Sequence, residues 1–197
     1  MLIGGLFIAA PHMTSAKNGG GSEFKTNLDA CCAAASEDND GKAEYRKQTN
    51  NGVTKQERFR TQVRVELPSA VLGIADAASA QAADVRVILT RSGTDYAECT
   101  LEFDEVEQEM EIEDGGSELK TEAEFAVDIR NQLKKNNLVV RANKGACDID
   151  LTAPGTQAGV PVVQAGDTAT VTLVDPTETT LAPASRALDK DFLQGTF

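Results

Sequence analysis

Hydrophobic and polar residues alternate along most of the chain from Phe24 onward, which is the pattern of β-strands that bury one face. One such run spans residues 59–67, and another keeps strict alternation over residues 119–129. Turn-forming residues separate the runs, as in Asn-Asn-Gly at 50–52 and Ser-Gly at 92–93. The pattern therefore predicts an all-β chain of about eight to ten short strands.

The alternation changes phase once within a single predicted strand. Its apolar positions are odd-numbered up to Phe103 and even-numbered from Val106 onward. An extra residue in one strand of a pair, or a tight turn, produces this kind of slip, so we expect a β-bulge or a tight turn at residues 104–105. Asp-Gly-Gly at 114–116 then predicts a hairpin turn.

The spacing of the strands favours an antiparallel β-sandwich, or a partly open barrel, made of residues 24–175 as a single domain. An Ala- and Ser-rich stretch allows one short helix near residues 75–83, with a long loop as the alternative. Residues 17–23 are predicted to be a flexible leader because they are rich in glycine. Residues 176–197 mix Thr, Pro and Ala and are predicted to be a C-terminal tail.

The amino terminus has the layout of an export signal. Leu2 to Ala10 form an apolar run, Pro11 interrupts it, and the small residues 14–16 suit a cleavage site. Residues 1–16 are therefore predicted to be an export signal, which indicates a secreted, periplasmic or cell-surface protein. The run is about half as long as a membrane-spanning helix, so no membrane span is expected. No Lys or Arg precedes it, and a cloning remnant or a buried terminal strand stays open.

The four cysteines, an even number, indicate disulfides in an exported chain. Cys99–Cys147 is the favoured bridge because each residue lies in a strand-like segment, whereas a bridge between the adjacent Cys31 and Cys32 is the least favoured by default. Cys31 and Cys32 would then be free, bridged to each other or linked to another chain. Bridges from both of them to Cys99 and Cys147, and four reduced thiols, are the alternatives.

The formal net charge of -12 is concentrated in one part of the chain. Residues 98–124 hold twelve acidic residues and one basic residue, while the other 170 residues hold 19 and 18. One strand face is predicted to carry Glu105, Glu107, Glu109, Glu111 and Glu113. Such a row could keep a strand edge soluble, form cross-strand ion pairs with Arg58, Arg60 and Arg64, or bind a cationic partner.

Residues 36–41 match part of an EF-hand calcium loop. Asp38 and Asp40 fall at ligand positions, which makes them weak metal candidates and makes calcium the one cofactor considered. Ser36 replaces the first acidic ligand and Lys47 replaces the bidentate glutamate. The row of glutamates is a poor calcium cage as well, since evenly spaced strand residues do not converge on one point.

Several chemistries are disfavoured by composition. The single histidine, His12, lies in the predicted export signal, so the mature chain would lack the base of Ser-His-Asp and Cys-His catalysis and a histidine ligand for zinc. The sequence has no glycine-rich phosphate-binding motif, and its acidity disfavours nucleic acid as a partner. The absence of Trp disfavours sugar-stacking platforms. We therefore do not expect an enzyme.

The leading functional hypothesis is an exported, non-catalytic binding or structural module whose partner is a protein or a cationic surface. The second hypothesis is a calcium- or cation-dependent adhesive or assembly domain that uses the acidic strand face. A hydrolase that uses paired carboxylates is a more remote alternative.

Overall fold

The structure is a computed structural model. It describes residues 20–32, 34, 36, 38–113, 116–134, 137–151, 157–175 and 189–197. The predicted export signal, residues 1–16, lies outside these ranges. The first strand begins at Gly21, inside the predicted flexible leader, so the folded region starts earlier than Phe24.

Ten strands and one short helix make up the regular structure of the described residues. The strands are β1 Gly21–Ala30, β2 Asp40–Asn50, β3 Val53–Glu66, β4 Val85–Arg91, β5 Thr94–Glu113, β6 Gly116–Lys134, β7 Asn137–Lys144, β8 Ala146–Asp148, β9 Thr168–Leu173 and β10 Lys190–Thr196. The number of strands agrees with the prediction, but β3, β5 and β6, at 14, 20 and 19 residues, are not short.

The helix, α1 Ala77–Ala82, confirms the helix predicted near residues 75–83. Asp76 precedes it as the N-cap, and its carboxylate accepts a hydrogen bond from the backbone N–H of Ser79 at 2.9 Å. The Ser79 hydroxyl in turn accepts from the backbone N–H of Asp76. This reciprocal cap satisfies donors that the first turn of a helix leaves unpaired. In the described part of the chain, no helix is long and apolar enough to cross a membrane.

Eight of the strands close into an antiparallel barrel. Their order around the ring is β6-β3-β2-β1-β10-β9-β4-β5, and β5 returns to pair with β6. The all-β, antiparallel prediction is confirmed, and the ring is closed rather than partly open. The sandwich description is compatible because β1 and β5 each pass from one hydrogen-bonded sheet to the other: β5 pairs with β4 up to Leu101 and with β6 from Glu102.

The predicted C-terminal tail is wrong for residues 189–197, because β10 is an integral barrel strand between β1 and β9. A register shift between Asp191 and Leu193 leaves Phe192 as an extra residue, and both Phe192 and Leu193 are fully buried. Two consecutive inward side chains break the period of two, which hid this strand from the pattern. Residues 176–188 lie outside the described ranges.

Two tight turns appear where the sequence predicted them. Asn51 and Gly52 join β2 to β3, and Ser92 and Gly93 join β4 to β5. Their φ angles are all positive, at 51° and 74° in the first turn and 51° and 78° in the second. Two-residue hairpin loops of this kind match the twist of the strands they connect.

The barrel interior is filled by large apolar side chains from all around the ring. Among the largest fully buried ones are Tyr45, Phe59, Phe125, Phe192 and Leu89. Full burial of a side chain of this size contributes about 1.5–3 kcal/mol relative to exposure. Burial of these side chains is therefore a major contribution to the stability of the barrel.

β7 and β8 occupy the fork where β5 and β6 diverge. β7 pairs with β6 up to Lys144, and β8 pairs with β5 around Cys147. Gly145, between them, has a φ of 61° and lies so close to a backbone carbonyl of β5 that a Cβ would not fit. Cys99 of β5 lies directly opposite Cys147 of β8 and forms a disulfide with it, which fastens the inserted strands to the barrel.

Candidate partner-binding hairpin

The distal parts of β5 and β6 form a two-stranded arm beyond the barrel. β3 pairs with β6 only as far as Glu122, and β4 pairs with β5 only as far as Leu101. The two strands continue to pair with each other until Glu113 lies opposite Gly116. We call residues 107–113 and 116–121 the arm. The residues of the predicted hairpin turn between them, 114 and 115, lie outside the described ranges.

The β-bulge predicted at residues 104–105 is confirmed. β5 takes three residue steps between Phe103 and Val106 where β6 takes two. Asp104 and Glu105 therefore both oppose Glu124. The bulge lets the apolar residues before and after it pack against the core while the acidic residues stay on the outer face.

The acidic residues of the arm and its base share one outer face. We call acidic face the set Asp104, Glu105, Glu107, Glu109, Glu122 and Glu124. Glu107 lies directly opposite Glu122, and Glu109 lies opposite Lys120. Arg64 of β3 contacts Glu122 and Glu124, each at 3.7 Å. Like charges in directly opposed positions destabilise a sheet, so part of this face is unfavourable in the free protein.

The pKa of Glu124 is raised by burial and by the neighbouring carboxylates. Burial raises the pKa of its carboxyl group, and the negative charge of Glu107 raises it further. Asp104 and Glu105 act in the same direction, whereas Arg64 lowers the pKa. The net result is a pKa above the ordinary value of 4.5, with burial as its largest cause.

The predicted ion pairs between the arginines of β3 and the glutamate row of β5 are wrong, because β6 lies between these strands. Arg58 instead binds Asp128 of β6 through two hydrogen bonds of 2.7 Å. The guanidinium of Arg58 and a hydrogen bond from Asn143 hold the pKa of Asp128 below its ordinary value. Arg60 lies opposite Asp128 in the ladder. The sequence pattern shows that the arginines share one face of a strand, but it does not show which strand lies beside them.

Four of the five predicted members of the glutamate row lie on the arm, and Glu105 lies at its base. Glu105, Glu107 and Glu109 are exposed. Glu111 and Glu113 occupy the next alternate register positions of β5, opposite Glu118 and Gly116. Asp104 also pairs with Lys144 from the end of β7. All five glutamates of the row therefore lie on one strand of the β5–β6 hairpin.

An exposed apolar pair on the opposite face of the arm was not predicted as part of a site. Met110 and Leu119 lie directly opposite each other and are 63% and 56% exposed. Alternation places apolar residues at these positions, but the same pattern describes buried strands. On the arm, beyond the barrel core, the two side chains are exposed instead.

The weak metal candidates are placed apart from the arm. Asp40 opens β2 and contacts Arg64 at 3.7 Å, and the carboxylate of exposed Asp38 accepts a hydrogen bond from the Ser36 hydroxyl at 3.3 Å. Glu37 lies outside the described residues. Across the part of the chain that is described, no three His, Cys, Asp or Glu residues form a group that could hold a metal ion.

Cys31 and Cys32 are bonded to each other, the pairing that the sequence least favoured by default. They follow directly after β1, where the backbone N–H of Cys31 donates to the carbonyl of Phe192 in β10 at 3.0 Å. Cys32 is exposed and has a φ of 68°. Cys99 and Cys147, in contrast, are buried.

Buried carboxylates elsewhere are fully engaged in structural contacts. Asp167, which is 2% exposed, receives two hydrogen bonds of 2.8 and 2.7 Å from Arg91 and one of 2.9 Å from the Tyr96 hydroxyl. Burial opposes ionisation of Asp167, but these hydrogen bonds and one from the Gln164 N–H hold its pKa below the ordinary value. This cluster joins the β4–β5 turn region to the segment before β9.

A second buried carboxylate, Glu57, faces the barrel interior. It accepts a hydrogen bond from the Tyr45 hydroxyl and pairs with Lys47, both at 3.1 Å. Burial and the Glu57 charge raise the pKa of Tyr45. Glu57, Asp128 and Asp167 thus each form an ion pair with a different basic residue.

The arm and its base therefore carry the exposed carboxylates of the acidic face on one side and an exposed apolar pair on the other. A cluster of exposed carboxylates attracts cations and basic surfaces. Comparison of the chain with protein-family models, with curated proteins and with solved structures finds no match.

Proposed function

We propose that this chain is an exported, non-catalytic binding module of the cell surface or periplasm that binds a cationic partner through the acidic face. The observation that carries the proposal is the position of Glu107 directly opposite Glu122, beside a Glu124 whose pKa is raised. The opposed charges of Glu107 and Glu122 repel each other in the free protein. A basic partner would neutralise these carboxylates, and the relief of their repulsion would contribute to the free energy of binding.

The disulfides support the proposed location at the cell surface or in the periplasm. All four are paired as disulfides, which persist in oxidising compartments and are rare in the cytosol. The predicted export signal at residues 1–16 points in the same direction.

The proposal is tested with a fluorescent dodecalysine peptide as the probe. Fluorescence anisotropy at about 50 mM and about 300 mM NaCl measures the affinity and its salt dependence, since salt screens exposed charges. The test variant is the triple change Glu105→Gln, Glu107→Gln and Glu109→Gln. We expect its affinity for the peptide to fall about tenfold at low salt.

A matched control removes three negative charges elsewhere. Asp29, Asp38 and Asp191 are exposed and lie off the acidic face, and each is changed to Asn. This variant should lose less than about twofold in affinity. Equal losses in both triple variants would mean that net charge alone attracts the peptide, and the proposal would be wrong.

The same proteins separate this function from the calcium-dependent alternative. Because the carboxylates are spread along strands rather than gathered around one point, calcium at about 1 mM should leave Tm unchanged. A rise in Tm that the Glu→Gln triple variant abolishes would instead favour a cation-dependent adhesive or assembly domain.

A further inference from the structure

Among the described residues, one edge of β5 has no pairing strand along the acidic face. Pairing with β4 ends at Leu101. From Glu105 to Glu113, the described residues supply no backbone hydrogen bond to β5 except those from β6. An unpaired edge carries a row of N–H and C=O groups that an extended peptide can bind as an added strand.

The side chains along this edge differ between the two faces of the arm. Glu105, Glu107 and Glu109 are exposed on the acidic face. Met110 is exposed on the other face, next to Leu119. Any strand added here would place its alternate side chains beside carboxylates and beside apolar groups in turn.

Building on the proposed function, we propose that the free edge of β5 binds an extended partner segment in which basic residues alternate with apolar ones. Residues opposed in neighbouring strands lie on the same face, with Cβ atoms about 5 Å apart. The basic side chains of the segment would therefore meet the glutamates. Its apolar side chains would lie beside Met110 and extend the apolar surface that Met110 forms with Leu119, and its backbone would complete the ladder.

Charge selects this occupant over a second copy of the chain. If two copies paired through β5, the glutamate row of one would oppose the glutamate row of the other, which is destabilising. The charged row therefore blocks self-association along the edge while leaving it open to a basic strand.

The experiment compares three peptides with the same side-chain composition, five lysines and five valines each. In the alternating peptide, lysine and valine follow each other in turn. In the block peptide, all the lysines precede all the valines, and the third peptide is the alternating one with every backbone amide methylated. Strand addition requires both the alternation and the peptide N–H groups, so we expect the alternating peptide to bind about tenfold more tightly than either of the others. It should also slow hydrogen exchange at the β5 amides that do not bond to β6.

A variant pair tests the apolar face. Met110→Thr with Leu119→Thr should weaken binding of the alternating peptide about fivefold and leave dodecalysine binding unchanged. Val53→Thr with Val140→Thr, at two other exposed apolar positions, is the control and should change neither affinity. Circular dichroism checks that both variants are folded.

The outcomes separate the two proposals. If dodecalysine binds but the three lysine–valine peptides bind equally, the acidic face is a binding site and strand addition is wrong. If none of the peptides binds, both proposals fail. Slow exchange of the outward amides of β5 in the free protein would show that another segment or a second copy already covers the edge, and would overturn the inference.

Discussion

Glu107 of β5 lies directly opposite Glu122 of β6, and two residues further along the same face Glu109 lies opposite Lys120. The ladder thus contains a repulsive pair and an attractive pair side by side. Cross-strand pairs of this kind contribute about 0.2–1 kcal/mol each, with a sign set by the charges. Neighbouring glutamates of the same strand are therefore expected to respond oppositely to the same substitution.

We predict that Glu107→Lys increases the free energy of unfolding by about 0.5 kcal/mol, because it replaces a repulsive pair with an attractive one. Glu109→Lys should decrease it by about the same amount, because it creates two opposed lysines. Both variants change the net charge equally, and both should bind dodecalysine more weakly than the wild type. Urea denaturation measures stability; shifts of the same sign would show that net charge, not register, controls it.

The raised pKa of Glu124 predicts that its contribution to stability decreases as the pH rises. Because its folded-state pKa is raised above 4.5, the folded state binds its proton more tightly than the unfolded state. Its contribution to stability therefore falls as the pH rises from 4.5 through the raised pKa. Glu124→Gln should stabilise the protein at pH 7 relative to the wild type and have no effect near pH 4. Denaturation curves at both pH values decide this, and a stability difference that is independent of pH would contradict it.

Asp167 predicts the opposite pH dependence. Its lowered pKa means that its stabilising contribution is present above 3.8 and is lost as the pH falls through the folded-state value. Asp167→Asn removes a buried charge from Arg91 and Tyr96 and should cost about 3 kcal/mol at pH 7. The exposed Asp191→Asn is the control and should cost less than about 0.5 kcal/mol. If the two variants unfold at the same urea concentration, the cluster around Asp167 does not stabilise the fold.

The two disulfides should differ in accessibility to reductant. Cys32 is exposed at the end of β1, whereas Cys99 and Cys147 are buried between strands. Mild reductant applied to the folded protein should therefore open Cys31–Cys32 and leave Cys99–Cys147 intact until denaturant is added. Alkylation followed by peptide mass spectrometry locates the free thiols. Modification of Cys99 at the same rate as Cys32 would refute the expectation.

Local patterns predicted much of the secondary structure. The phase slip at residues 104–105 and the Asn-Gly and Ser-Gly turns are properties of a few neighbouring residues, so the sequence carries them directly. β10 is different, since its bulge at Phe192 removes the alternation that identifies a strand. The closure of the barrel also depends on this strand, which is why a sandwich and a barrel could not be distinguished.

The candidate site was predicted in part. The alternation placed the glutamates on one strand face, but it could not show which strand lies beside them. One of the three interpretations of the row paired it with the arginines of β3, whereas β6 separates these strands and brings Asp128 to Arg58. The exposure of Met110 depends on how far the β5–β6 hairpin extends beyond the barrel core, which is a property of the tertiary structure.

The seam between β1 and β10 has a consequence for how the protein folds during synthesis. Asp29 pairs with Gln194, so the contact that completes the ring joins opposite ends of the described chain. Such non-local contacts form slowly because the loop-closure entropy must be overcome first. A nascent chain that lacks residues 190–196 would have two open edges, at β1 and β9, and would be prone to misassembly. Chaperones that hold unfolded chains are therefore expected to matter most in the interval before β10 emerges.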